Sequence, residues 1–365
     1  MIDKESIRRY EFVDLLKAIA IFFVTIYHYN NIKINFFETQ DNIIYFNYFI
    51  RSIFSTGVPL FFLVNGLLIL NKDLVLKQHI KKILNFIKIL ILWNIITLIF
   101  LMIINNETIP INKLTYYLYN FKDDWTSHLW FLESLIIIYI FFPLIKSTYE
   151  TSIENLYYFL AIIFLITFGS RLLSNIINVL KFFLTNDFST KDIDIFNFFS
   201  NFKCIYGYSF VYFITGGILT KYNYIFQKRK IILISIVLIP ISMLLLTLYG
   251  IIMSINNYRL YDTVWSGYNT IPTLCMVISI YILSLQYKGY NNKLFHIINY
   301  IGKNSLGIYL VHRIWGSLFI KYFKEIPYSD NIITNFIFAA LVILISLLSV
   351  TLINKNYILK KILFV

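Results

Sequence analysis

The chain is poor in charge. Only 14% of its 365 residues are Asp, Glu, Lys or Arg, against roughly a quarter in an average soluble chain. Apolar residues make up 58%, and a soluble fold of this length has no core large enough to hide them. Cysteine is scarce too. Cys204 and Cys275 both sit in or beside apolar runs, which excludes a disulfide framework and zinc-ligand spacing. Also missing are a phosphate-cradling Gly-rich loop, an HExxH pair and a GxSxG elbow. Those absences exclude ATP-driven pumps, zinc proteases and serine hydrolases of those kinds.

What is present is apolar and aromatic. The 35 Phe and 29 Tyr exclude a disordered chain, and a mean hydropathy of +0.70 points to a membrane protein. The net charge of +13 can suggest nucleic acid. A multi-span protein carries excess Lys and Arg on its cytoplasmic side anyway, so no nucleic-acid partner is expected. Abundant Ile, Asn, Lys, Phe and Tyr fit an AT-rich, bacterial genome.

Apolar stretches of span length run near 12–30, 50–70, 83–105, 129–147, 156–177, 204–220, 231–254, 265–285, 302–320 and 332–353. The sixth is short and the eighth contains Pro272. No small-residue cleavage site follows the first stretch, so no signal peptide is expected. Lys and Arg are richer on the side of the termini, which predicts cytoplasmic termini. The expected fold is an all-α, polytopic transmembrane bundle of about ten spans. It forms a single domain over residues 1–365 with no appended soluble domain, in a bacterial cytoplasmic membrane.

Ionisable groups in lipid are costly and so mark candidate sites. The first stretch holds Asp14, Lys17 and His28. Lys17 and His28 share nearly one helix face, about 16 Å apart along the axis, and Asp14 can pair with Lys17. The bland alternative is a snorkelling lysine and an interfacial histidine. His128 and Trp130 fit an interface belt or a cavity wall. Glu133 lies deeper and wants a cation, with Arg171 as a possible partner. Ser305, Tyr309 and His312 recur on one face of the ninth stretch, where they line a cavity or join helices. Thr56, Gly57, Pro59 and Asn65 suggest a kink with a polar lining. His79 and His296 are read as lying in cytoplasmic loops. No metal site is expected.

Three segments together resemble the acyltransferase-3 family of integral membrane O-acyltransferases. DLLKAIAIFFVTIYH (14–28) is similar to its first helix, which carries an Arg, ten residues, then a His. HLWFLESLIIIYIFFP (128–143) resembles its WFL helix ending in proline, and GKNSLGIYLVH (302–312) resembles its closing motif. Two departures stand out. The first-motif arginine is Lys17, which keeps charge but loses the planar fork. The paired-arginine motif reads KKILNFIK (81–88), with Asn85 three positions after Lys82.

The resemblance implies transfer of an acyl group, commonly acetyl, from cytoplasmic acyl-CoA to a hydroxyl of a surface or lipid-linked glycan. No tightly bound cofactor is implied. Lys81, Lys82 and Lys88 would hold donor phosphates as point charges. His28 would serve as general base, or more rarely as an acyl carrier, with Lys17 and Asp14 orienting the donor or an oxyanion. Outer aromatics such as Trp125 and Trp130 can stack on a sugar or anchor the membrane. Succinyl is an alternative acyl group, its carboxylate meeting Arg171 or Arg313. The competing readings are a polysaccharide exporter without acyl transfer and an inactive relative kept as an assembly partner. The acyl group, the acceptor hydroxyl and the oligomeric state are not legible in the sequence.

Overall fold

A computed structural model describes residues 11–38, 41–118, 120–122, 124–185, 206–287 and 293–364. Cys204, the start of the sixth apolar stretch and residues 186–203 lie outside the described residues. Among the described residues the chain is helical and contains no strand, as the apolar patterning requires. A backbone in lipid must satisfy its own hydrogen bonds, and helices do so within one segment.

The elements run in chain order as α1 (Glu11–His28), α2 (Asn42–Arg51), α3 (Gly57–Leu70), α4 (Leu76–Asn105) and α5 (Ile111–Tyr117). Next come α6 (Trp130–Thr151), α7 (Ile153–Phe164), α8 (Ser170–Thr185) and α9 (Tyr208–Leu219). The last are α10 (Arg229–Asn257), α11 (Ile271–Ser284), α12 (Lys293–Lys303), α13 (Ser305–Phe323), α14 (Ile332–Lys355) and α15 (Tyr357–Leu363). Among the described residues, six helical stretches are long and apolar enough to cross a membrane: Asn42–Leu70, Leu76–Asn105, Ser127–Thr151, Ile153–Leu184, Arg229–Asn257 and Ile332–Lys355.

Prolines and polar residues sit where helix ends can use them. Thr270 caps α11 by accepting from the Thr273 N–H, and Pro272 falls in the first turn, where a missing N–H costs nothing. The eighth stretch is therefore a shorter apolar helix, Ile271–Ser284. In the second stretch a 3₁₀ segment, Ser52–Thr56, leads into α3 at Gly57. Asn65 of α3 accepts from the Tyr139 hydroxyl of α6 at 3.4 Å.

Helix α1 lies at the centre, packed against α3, α11, α12, α13 and α14. Its polar groups require that place: Asp14 is buried, and an acidic residue facing lipid would be strongly unfavourable. Gly302 allows the approach of α12, because a Cβ there would stand 2.0 Å from the Asp14 carbonyl oxygen. A second close crossing joins α3 to α9. A Cβ on Gly66 would meet the Phe213 carbonyl oxygen at 1.7 Å, and one on Gly216 the Leu63 carbonyl oxygen at 2.0 Å. Without a hydrophobic drive between helices in lipid, such small-residue contacts supply much of the packing. The outward side of α14 is apolar at helical spacing, with Ile333, Ile337, Leu341, Leu344 and Leu348 exposed.

His79 corrects the sequence reading. It lies in the first turns of α4 rather than in a loop, buried against α6. Its Nε2–H donates to the Tyr139 carbonyl at 2.7 Å, and its ring stacks on that of Tyr139.

Candidate active site

Three helices bring three histidines together. His28 is the last residue of α1. His128 lies in a single 3₁₀ turn, Ser127–Leu129, that opens α6, and His312 is in the body of α13. The rings of His28 and His312 are 5.8 Å apart between centroids, and those of His128 and His312 are 5.7 Å apart. His128 and His312 are fully buried, and His28 is half-buried. The interface-belt reading of His128 and Trp130 is thereby replaced: both are buried and line one cavity.

Hydrogen bonds fix this arrangement. The Tyr309 hydroxyl donates to the His128 carbonyl oxygen. The Tyr309 carbonyl in turn accepts from His312 Nδ1–H at 2.6 Å. A carbonyl cannot donate, so the proton of neutral His312 sits on Nδ1, and Nε2 keeps its lone pair. That Nε2 and both ring nitrogens of His128 are buried without a hydrogen-bond partner among the described residues. Buried polar atoms are nearly always paired, so three unpaired nitrogens in one place call for a functional explanation.

Arg313, next to His312, is buried. Its Nε–H donates to the Trp125 carbonyl at 3.1 Å, and its guanidinium lies 5.6 Å from the Tyr29 ring centre. The charge bears on His28, His128 and His312 alike. The cavity among these groups is lined by His28, His128, Trp130, Trp265, Tyr268 and Tyr309, with others. Its free volume is about 10 Å³, room for about one water.

A second network abuts the cavity. The Tyr27 hydroxyl donates to Asp262 Oδ2 at 2.7 Å, and Arg51 Nη1 to Asp262 Oδ1 at 3.0 Å. The backbone N–H groups of Val264 and Trp265 donate to the same Oδ1 at 2.9 and 3.2 Å. Burial alone would raise the Asp262 pKa. The Arg51 charge and the bonds from Tyr27, Arg51 and Val264 outweigh it, holding the carboxyl below its ordinary range. The sequence reading missed Asp262, Arg51, Tyr27 and Trp265. Arg51, inside an apolar run, was the one available signal.

The remaining expected residues divide. Lys82 lies with its ammonium 4.9 Å from the Tyr139 ring centre and within the electrostatic reach of Lys72 and Lys17. Lys17 and Lys82 therefore belong to one basic cluster, near buried Asp14, at the end of α1 opposite His28. Lys81 is exposed. Lys88 is drawn away: its Nζ donates to the Lys361 carbonyl at 2.8 Å, tying α15 to α4. The expected Glu133–Arg171 pair does not form. Arg171 Nη2 donates to the Tyr261 hydroxyl at 3.0 Å and the Ser266 carbonyl at 3.1 Å, while Glu133 faces outward from α6. Ser305 is buried but is not part of the cavity wall. Trp125 and Trp130 are also buried, and Lys122 covers the Trp125 ring at 3.1 Å. Among the described residues no three His, Cys, Asp or Glu side chains are placed to hold a metal ion.

These features define an all-helical, multi-pass membrane protein with a histidine-lined cavity reached from its central helix. The family model described as an acyltransferase domain matches residues 10–354. The chain belongs to the acyltransferase-3 family, and is a membrane acyltransferase. Neither a curated protein nor a solved structure matches it.

Proposed function

We propose that this protein is an acyl-CoA-dependent membrane O-acyltransferase that transfers an acyl group, by default acetyl, to a hydroxyl of a surface or lipid-linked glycan. It would act in a bacterial cytoplasmic membrane, with about ten spans, both termini cytoplasmic and no tightly bound cofactor. The observation that carries the reading is the meeting of the His28, His128 and His312 rings, with buried partnerless nitrogens on His128 and His312, where His28 and His128 line a space of one water. A conduit for a glycan needs no such group of bases in so narrow a space.

The chemistry follows from the parts. His28 removes the acceptor hydroxyl's proton as that oxygen bonds to the thioester carbonyl carbon. Negative charge then builds on the former carbonyl oxygen, where the buried Arg313 charge favours it. Collapse breaks the carbon–sulfur bond, and the thiolate of CoA takes up the proton that His28 holds. His312, with Nε2 bare, and His128 supply neighbouring proton acceptors. At the other end of α1, Lys17, Lys72 and Lys82 attract the donor's phosphates as point charges. A pantetheine arm spans the remaining distance, about 16 Å along α1 from Lys17 to His28.

The test is mass analysis and proton NMR of the host's surface glycan, from cells with wild type or His28→Ala at equal membrane abundance. Loss of an ester-linked acyl group with unchanged glycan export is the expected result. Unchanged acylation with reduced surface glycan would instead favour an exporter.

A further inference from the structure

The cavity is too small for the acceptor it is proposed to serve. About 10 Å³ admits a hydroxyl or one water, never a sugar ring, so the ring of an acceptor must rest outside with one hydroxyl inserted. Trp265 is built for the outer position. It lines the same cavity as His28 and His128, yet 47% of its surface is exposed, while Trp130 behind it is only 6% exposed.

The indole is held rather than loose. Trp130 abuts it edge-on, with ring centres 5.2 Å apart, and Tyr268 lies 5.7 Å away. Its backbone N–H is tied to Asp262, which also holds Tyr27, the neighbour of His28. A fixed aromatic plane that is apolar and open on one side suits the apolar C–H face of a pyranose, whose hydroxyls point outward around the rim. Tyr27 and Tyr268 complete the aromatic wall of the same cavity.

Resting on the acyl-transfer reading above, we infer that Trp265 forms the acceptor subsite. It stacks on the face of a sugar ring and sets which hydroxyl enters the cavity toward His28. The Asp262–Tyr27–Arg51 network keeps the stacking plane and the base in register.

The test uses the full-length protein in detergent, with labelled acetyl-CoA as donor and the host's surface polysaccharide, de-esterified by mild alkali, as acceptor. Trp265→Ala is expected to raise the acceptor KM roughly tenfold, the scale of one lost aromatic stack, without moving the donor KM. Trp265→Phe is expected to recover most of that loss. An unchanged acceptor KM in Trp265→Ala would overturn the subsite. So would a Phe variant as impaired as Ala, or a donor KM that rises in Trp265→Ala as much as the acceptor KM. Failure of the wild-type protein to acylate the polysaccharide would overturn the acyl-transfer reading and, with it, the subsite.

Discussion

His28 and His312 come from opposite ends of the chain and meet with their ring centres 5.8 Å apart. The contact depends on α13 lying beside α1, and His312 is oriented from within its own helix by the Tyr309 carbonyl. His312→Ala should therefore leave the bundle folded while transfer falls roughly 10- to 100-fold, within the range for a lost acid–base partner. Initial rates across pH 6–9 check this, and a His312→Ala profile parallel to wild type at full rate would refute it.

Asp262 organises the outer network, and its pH behaviour has a definite sign. Its folded pKa lies below the ordinary carboxylate value. The stabilisation it contributes is thus present above about pH 4, the unfolded value, and is lost as pH falls through the lower folded value. Asp262→Asn should lower stability by about 1 kcal/mol at neutral pH, a modest figure because the side chain is 37% exposed and screened. Thermal unfolding of both proteins should show that gap constant from pH 5 to 8 and closing below pH 4. A gap that widens on acidification would contradict the assignment.

Gly66 and Gly216 interlock α3 with α9. Gly66→Ala places a methyl where the Phe213 carbonyl oxygen now stands, and overpacking of this kind costs about 1–3 kcal/mol or more. The expected outcome is a lower detergent-state melting temperature and less folded protein. Gly169→Ala, where the nearest atom to a new Cβ is a Leu165 side-chain carbon at 3.5 Å, serves as the control and should change little.

The basic cluster predicts a donor phenotype. Lys82 shares its surroundings with Lys17 and Lys72, so Lys82→Gln should raise the donor KM several-fold. It should also flatten the dependence of that KM on salt, since exposed charge attraction is screened. Lys88→Gln should have a smaller effect on donor KM, because Lys88 is committed to the Lys361 carbonyl. Equal effects from the two substitutions would remove the distinction.

Composition and span-length apolar runs made the helical membrane fold legible, because a backbone in lipid leaves few other options. His28 and His312 were legible as polar positions on apolar helices, and the resemblance of three segments indicated the family. Their meeting was not legible: helical periodicity says which face a residue occupies but not which helix it faces. His128 was ambiguous because an aromatic belt and a cavity wall share residue types. Asp262 lies in a connection between helices, where acidic residues are ordinary, and only its three-dimensional partners distinguish it. The Glu133–Arg171 pairing failed for the same reason, since opposite charges at similar depth do not fix which neighbour each one meets.

The most direct test of the account is acyl transfer by the purified full-length protein and its His28→Ala variant. Labelled acetyl-CoA is the donor, de-esterified surface polysaccharide the acceptor, and ester-linked label on the glycan the readout. The account predicts transfer by the wild type and a loss of at least about 100-fold in His28→Ala, the scale of general-base catalysis. Transfer by His28→Ala at the wild-type rate would contradict it.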